Sequence, residues 1–186
     1  MIIVTGGAGF IGSNLVRELN KRGIDDILIV DSLKRGEKHL NLNSLEFRDF
    51  VDHNEFIRRI GEYAPNKIEA IFHEGACTDT MEYDGQFMMK VNYEYSKSLL
   101  HYALRHNIRL IYASSASVYG NGDDGFAEER RCEYPLNVYA YSKFQFDQYL
   151  RRVMDEAESQ IVVLRYFNVS GQQASHKGRM ASVIFQ

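Results

Sequence analysis

No stretch of this 186-residue chain is long and apolar enough to cross a bilayer; the purest runs of Ile, Val and Leu stop at four residues. Nor is there a long basic run, and with a net charge of −3 the chain lacks the electrostatic footprint of a nucleic-acid binder. Cysteine is scarce. Cys77 and Cys132 have no metal-ligand spacing and no nearby base, which excludes a disulfide scaffold or zinc site and points to small buried or half-buried side chains. Internal repeats, low-complexity segments and linkers are absent, and no charged segment with an apolar signal region precedes the first strand, so a reducing cytoplasm is the expected compartment. What remains, 45% hydrophobic and 25% charged residues, is the composition of one ordinary globular domain with a sizeable core and a small molecule as partner.

The chain is organised around Thr5-Gly6-Gly7-Ala8-Gly9-Phe10-Ile11-Gly12. Met1 to Val4 reads as a short buried strand, and Ile11 to Lys21 places Ile11, Leu15, Val16 and Leu19 at helical spacing. Glycines so placed between a strand and a helix form a dinucleotide fingerprint. Gly6 permits the tight turn, Gly9 lets backbone approach a pyrophosphate, and Gly12 lets the helix pack closely on the strand, so phosphates meet amides at a helix N-terminus. A lone glycine pattern is weak evidence. Here Asp31, 19 residues past Gly12 at the end of the apolar run Ile27 to Val30, supplies the ribose partner the motif requires.

Beyond Asp31 comes a short basic stretch, Ser32 to Lys38. Asp31 favours a free ribose 2′-hydroxyl, whereas Lys38, helped by Lys34 or Arg35, suits a 2′-phosphate; charge alone leaves NAD and NADP both open, and a solvated loop is the plain alternative. Leu45 to Asp49 reads as a third strand, with Asp49 at its carboxyl end to accept from an adenine amino group. His53 to Tyr63 has helical spacing, Ile68 to His73 reads as a fourth strand, and the small residues of Glu74-Gly75-Ala76-Cys77-Thr78 follow where a doubly wound sheet opens its cofactor crevice. Gln86 to His106 reads as one long amphipathic helix with Phe87, Val91, Tyr95, Leu99, Tyr102 and Ala103 on its apolar side. Ile108 to Ala113 and Gln160 to Tyr166 are the fifth and sixth strands, separated by a polar surface excursion from Asn121 to Tyr134 and a helix from Asn137 through Met154. The alternation predicts an α/β fold, a doubly wound parallel sheet of Rossmann type in the order 3-2-1-4-5-6 with helices on both faces.

Ser114-Ser115-Ala116-Ser117-Val118-Tyr119-Gly120 brings hydroxyls to the carboxyl end of the fifth strand, although turn chemistry alone also places serines there. Tyr139 and Lys143 lie four apart on the following helix, hence on one face, about one turn from each other. A tyrosine hydroxyl titrates near ~10, too high for a base at neutral pH, and the expectation is that the Lys143 ammonium and an oxidised nicotinamide lower it. Ser115 would donate to the same substrate oxygen, so the three side chains hold an alkoxide-like oxygen while a hydride leaves the carbon.

Together the Gly6/Gly9/Gly12 turn, the Ser114 to Gly120 segment, Tyr139 with Lys143, and Arg165-Tyr166-Phe167-Asn168-Val169 resemble the extended short-chain dehydrogenase/reductases that act on nucleotide sugars. More narrowly, His73-Glu74-Gly75-Ala76-Cys77, Leu136-Asn137-Val138-Tyr139, and His176-Lys177-Gly178 with Met180-Ala181-Ser182-Val183 are similar to the ADP-glycero-manno-heptose 6-epimerase family. The resemblance implies an isomerase of lipopolysaccharide precursor synthesis, with NADP (or NAD) as cofactor, that inverts C6 of an ADP-heptose by transient oxidation to a ketone and re-reduction on the opposite face. It implies a cofactor site of Gly6, Gly9, Phe10, Ile11, Gly12, Asp31, Ser32, Lys38, His53, Glu74, Gly75, Ala76, Cys77, Asn92, Tyr139 and Lys143. Ser115, Tyr139, Lys143 and Lys177 would be catalytic, with Tyr139 and Lys177 handling protons on the two sides of the sugar. Ser115, Asn168, Val169 and Lys177 would meet the substrate, and no metal is implied. Two positions depart from the pattern: Ser170-Gly171-Gln172 stands where Tyr-Gly-Pro is usual, and His53 stands where the heptose enzymes carry lysine.

By the same resemblance, residues 1–168 form the cofactor domain with the catalytic Tyr/Lys pair, and residues 169–186 open a truncated substrate-binding region. A homo-oligomer paired through the two long helices is expected. The competing readings are a UDP-sugar 4-epimerase, which has no need of Lys177, and a dinucleotide-binding fragment without turnover. A 4,6-dehydratase fits less well, because Ala116-Ser117-Val118 offers no acidic pair after the serines.

Overall fold

The computed structural model describes residues 1–34 and 36–170; Lys177, with the rest of 171–186, and Arg35 lie outside the described residues. Six parallel strands form one sheet: β1 (Ile2–Thr5), β2 (Ile27–Asp31), β3 (Asp49–Asp52), β4 (Ala70–His73), β5 (Arg109–Ser115) and β6 (Ile161–Tyr166). Their order is β3-β2-β1-β4-β5-β6, as the alternation predicts. The apolar runs are strands because both sheet faces are covered. Ile2 and Val4 pack with Val16 and Ile29 on one face, while Ile3, one residue out of phase, packs with Ile71, Leu99, Leu110 and Phe146 on the other.

The register brings the functional ends together. Thr5 lies between Val30 and His73, Asp31 beside Asp52, and Ser115 beside Tyr166, so the carboxyl ends of all six strands share one edge. Helices α1 (Phe10–Lys21), α2 (His53–Arg59), α3 (Gly85–Met88), α4 (Tyr95–Arg105) and α5 (Val138–Val153) follow the chain in order. Asp52, Asp84 and Asn137 begin α2, α3 and α5 with side chains that accept from backbone N–H groups of the first turn. No helix among the described residues is long and apolar enough to cross a membrane, and none of their His, Cys, Asp and Glu side chains cluster as a metal site.

Two expectations change. The third strand is Asp49–Asp52, four residues later than Leu45 to Asp49, so Asp49 sits at its amino end beside Leu28 and cannot reach an adenine at the carboxyl edge. The apolar alternation of Leu45 and Phe47 serves packing against the face of β1 and β2, and the backbone of Glu46 is satisfied by the Asn20 side chain at 2.8 and 2.9 Å rather than by a strand. The long helix is also not uniform: a π-turn, Met89–Glu94, separates α3 from α4. Its wider turn moves the buried face to Met88, Asn92 and Ser96, one residue later than Phe87, Val91 and Tyr95, and leaves Phe87 42% exposed.

Candidate active site

The turn after β1 fits only glycine. Gly6 has φ of +70°, and a Cβ there would lie 2.7 Å from the Gly75 nitrogen; a Cβ on Gly12 would lie 2.3 Å from the Gly6 oxygen. Gly9 precedes α1 without any side-chain cap, so the first helical turn, with buried Phe10 and half-buried Ile11, is not stoppered by its own N-cap side chain. The Ala8 peptide is clamped at both ends: its N–H donates to Asp31 Oδ2 at 2.9 Å, and its carbonyl accepts from Asn41 Nδ2 at 2.9 Å. Asp31 Oδ1 accepts from the Ser32 N–H at 2.6 Å and is ion-paired with Lys38, whose Nζ also donates to the Ser32 carbonyl at 3.2 Å. Lys38 and Asn41 lie three apart in the 3₁₀ turn Gly36–Asn41, so they share one face. The acid and the base that conflict in the sequence are therefore partners, while Lys34 is exposed. His53, first in α2, has Nδ1 3.6 Å from Asp52 Oδ2, next to the end of β2.

On the other side of the crevice, β4 leads into Glu74 to Cys77. The Glu74 N–H donates to the Thr5 carbonyl and the Gly75 N–H to Thr5 Oγ1, both at 3.1 Å, which seats this segment against the glycine turn. Asn92, delivered by the π-turn and 1% exposed, brackets Cys77: its Oδ1 accepts from the Cys77 N–H at 2.8 Å and its Nδ2 donates to the Cys77 carbonyl at 3.0 Å. Burial pushes the Glu74 carboxyl up to about 7, with Lys143 and the Tyr166 hydroxyl pulling back.

At the end of β5 the two serines diverge. Ser114 is buried and donates to Asp147 Oδ2 at 2.8 Å, whereas Ser115 accepts from the Ser117 N–H at 3.2 Å and from the Ser117 hydroxyl at 2.8 Å and faces Tyr139. Burial raises the pKa of Tyr139, the Ser115 hydroxyl favours its phenolate, and Cys77 disfavours it; the net direction is upward. Lys143 is not among the groups that move it. Lys143 turns instead to the strand, where it is 2% exposed, donates to the Ala113 carbonyl at 2.8 Å and sits 4.7 Å from the centre of the Tyr112 ring. Burial lowers its own pKa to about 8, against the pull of Asp147 and Glu74. Asn168 and Val169 are exposed just past β6, beside the β5 end, while Lys177 lies outside the described residues.

A strand–glycine turn–helix joined to a Ser/Tyr/Lys group at one sheet edge has relatives. The sequence of residues 2–186 matches the NAD dependent epimerase/dehydratase family. The chain belongs to that family. It is 61% identical over 189 residues to ADP-L-glycero-D-manno-heptose-6-epimerase of Brachyspira hyodysenteriae, which covers all of this chain and 59% of the relative. Among solved structures, the heptose 6-epimerase of Helicobacter pylori superposes with a TM-score of 0.82 at 31% identity, over 98% of this chain and 60% of that one. The UDP-glucose 4-epimerase of Thermus thermophilus, solved with NAD, gives 0.74 at 30% identity, over 92% and 56%. This epimerase/dehydratase chain thus spans about three fifths of the length of those relatives.

Several polar pairings along this edge of the sheet escape sequence reasoning. Asn41, Thr5, His73, Ser96 and Ser142 hold the crevice walls through partners 23 to 68 residues away, or through backbone, and periodicity carries no signal for such pairings. Glu133 and Asp147, which take Arg165, fall respectively in the segment read as a surface excursion and on a helix.

Proposed function

We propose that this chain is the cofactor-binding and catalytic part of an ADP-heptose 6-epimerase that uses NADP. The observation that carries this reading is the 61% identity, over the full chain, to an enzyme of that name. The dinucleotide site is supported by the cradle at Gly6 and Gly12 that a Cβ would fill and by the uncapped start of α1. Gly6 to Gly12 would hold the pyrophosphate, and Lys38, already neutralising Asp31, leaves no bare acid to repel a 2′-phosphate. When bound, the nicotinamide would accept the C6 hydride and return it to the other face. Tyr139 takes the sugar hydroxyl proton and Ser115 donates to the same oxygen; Lys143, held on the Ala113 carbonyl, keeps a positive charge near the end of β5, and Lys177 serves the opposite side. Residues 1–168 supply the cofactor domain, Asn168 and Val169 reach the substrate, and self-association and a cytoplasmic location belong to the same reading.

Calorimetric titration of the chain should give NADP about tenfold tighter binding than NAD, the scale of one charge-assisted contact, with the preference erased by Lys38→Met. Tighter NAD binding by the parent would remove Lys38 from the site. In the full-length enzyme, Lys177→Met should lower ADP-heptose turnover by about 10² or more, as for loss of a positioned acid/base. Unchanged turnover would end the two-sided mechanism. Structural likeness to UDP-glucose 4-epimerases, such as that of Thermotoga maritima at a TM-score of 0.77 and 28% identity over 93% of this chain and 57% of that one, favours a second reading, which efficient conversion of UDP-galactose would support.

A further inference from the structure

A run of buried hydrogen bonds crosses from the glycine turn to the catalytic helix, with His73 at its centre. His73 ends β4 and is 1% exposed; its Nδ1 lies 2.6 Å from Thr5 Oγ1 and its Nε2 2.8 Å from Ser96 Oγ. Proton counting gives the run a direction. The Ser96 hydroxyl donates to the Asn92 carbonyl, so its oxygen can only accept from the ring, and Nε2 therefore carries the ring proton. Nδ1 is then an acceptor. It takes the hydroxyl proton of Thr5, whose oxygen in turn accepts from the Gly75 N–H at 3.1 Å. Burial, and to a lesser degree the Lys143 charge, hold the ring pKa down to about 3, so it stays neutral. Beyond Ser96 the run continues from the Asn92 side chain to Ser142 Oγ at 3.0 Å, and from the Ser142 hydroxyl to the Tyr139 carbonyl at 2.7 Å.

We propose that His73 is a positioning residue: as the Nε2–H tautomer it ties Thr5, the last residue before the glycine turn, to Asn92 and through it to the helix bearing Tyr139, and so sets the width of the crevice. This role presupposes that the crevice binds a dinucleotide. The opposite tautomer would aim two N–H groups, from Gly75 and His73, at Thr5 Oγ1 and leave a bare Nε2 facing a hydroxyl whose proton is already committed to Asn92. His73 touches neither cofactor nor substrate in this role; it acts through Thr5 and Asn92.

The test uses the chain itself, with NADP as the probe. Nitrogen NMR of the labelled histidines should show His73 with a bare Nδ1 and a protonated Nε2, and Ser96→Ala should shift that ring toward the other tautomer. Thr5→Val, which keeps the shape and removes the hydroxyl, should weaken NADP about tenfold by calorimetry, while Thr5→Ser should restore it to within about twofold of the parent. A parent ring protonated at Nδ1, or a Thr5→Val chain that binds NADP like a binding-competent parent, overturns the role of His73 alone. A parent that binds no dinucleotide overturns the dinucleotide reading of the crevice, a result that the binding arm of the parent reveals without any variant.

Discussion

Arg165→Met is expected to cost the fold about 3–5 kcal/mol at neutral pH, the range for removing one partner from a buried charge group. Arg165 has a side chain 8% exposed and bonds to Asp147 Oδ2 at 3.0 Å, to the Tyr119 hydroxyl at 2.9 Å, and to Glu133, whose side chain is fully buried. Burial pushes Glu133 up, but the hydrogen bonds of Arg151 and Arg165 outweigh it and hold the carboxyl below its usual range. Met fills comparable space and leaves Asp147 without its ion-pair partner, with only the more distant Lys143 charge, and Glu133 with Arg151 alone. Because Glu133 is depressed in the folded state, its stabilisation is present above its unfolded pKa and is lost as pH falls through the folded one. In the variant both carboxyls protonate more readily; the Glu133 share of the gap between parent and variant should narrow as pH drops below about 4.5, while Asp147, which burial already holds above its ordinary value, narrows it from higher pH. Urea midpoints at pH 7 and pH 4 read both effects; a loss below about 1 kcal/mol at pH 7 would show that the network contributes little.

Tyr139→Phe in the full-length enzyme should lower turnover of the nucleotide sugar by about 10³, within the range for a positioned acid/base, while changing dinucleotide affinity little. Only one hydroxyl is lost, and the glycine turn and the Lys38 pair lie at the other end of the crevice. Burial holds the tyrosine pKa above its ordinary value, so the parent's turnover should rise with pH as the phenolate fraction grows, and the residual turnover of the variant should lack that limb. Single-turnover kinetics beside a binding titration separate the two quantities. Substantial residual turnover would assign the essential proton transfer to another group.

The fold was legible wherever function depends on local patterning. Five apolar runs, ending at Thr5, Asp31, His73, Ser115 and Tyr166, mark strands of the sheet and its crevice edge, the third strand being the exception, and the Asn137 cap before Tyr139 marks α5. Asp49 was misplaced because Leu45 and Phe47 alternate like a strand while packing as a loop whose backbone is satisfied by Asn20. The Lys143 geometry was illegible for a different reason. Spacing puts Lys143 one turn from Tyr139 on the same face, yet a long side chain chooses its partner by what is buried near its tip, here the Ala113 carbonyl and the Tyr112 ring. Relays such as Thr5–His73–Ser96 join residues 68 and 23 positions apart, and no window on a single sequence spans them.

The clamp on Ala8 has a consequence for how coenzyme preference can change. Asp31, which under the proposed function would lie beside the adenosine ribose, is also the acceptor for the Ala8 N–H, and Asn41, on the same 3₁₀ turn as Lys38, holds the carbonyl of that residue. An exchange at Asp31 that retunes the choice between the two coenzymes therefore also releases one end of the glycine turn, and a shift of the Lys38 turn pulls on the other. On the proposed function, discrimination at the ribose and grip on the pyrophosphate would be inherited together, and drift toward the other coenzyme would pass through chains that hold either one poorly unless Ala8 gained a substitute partner first.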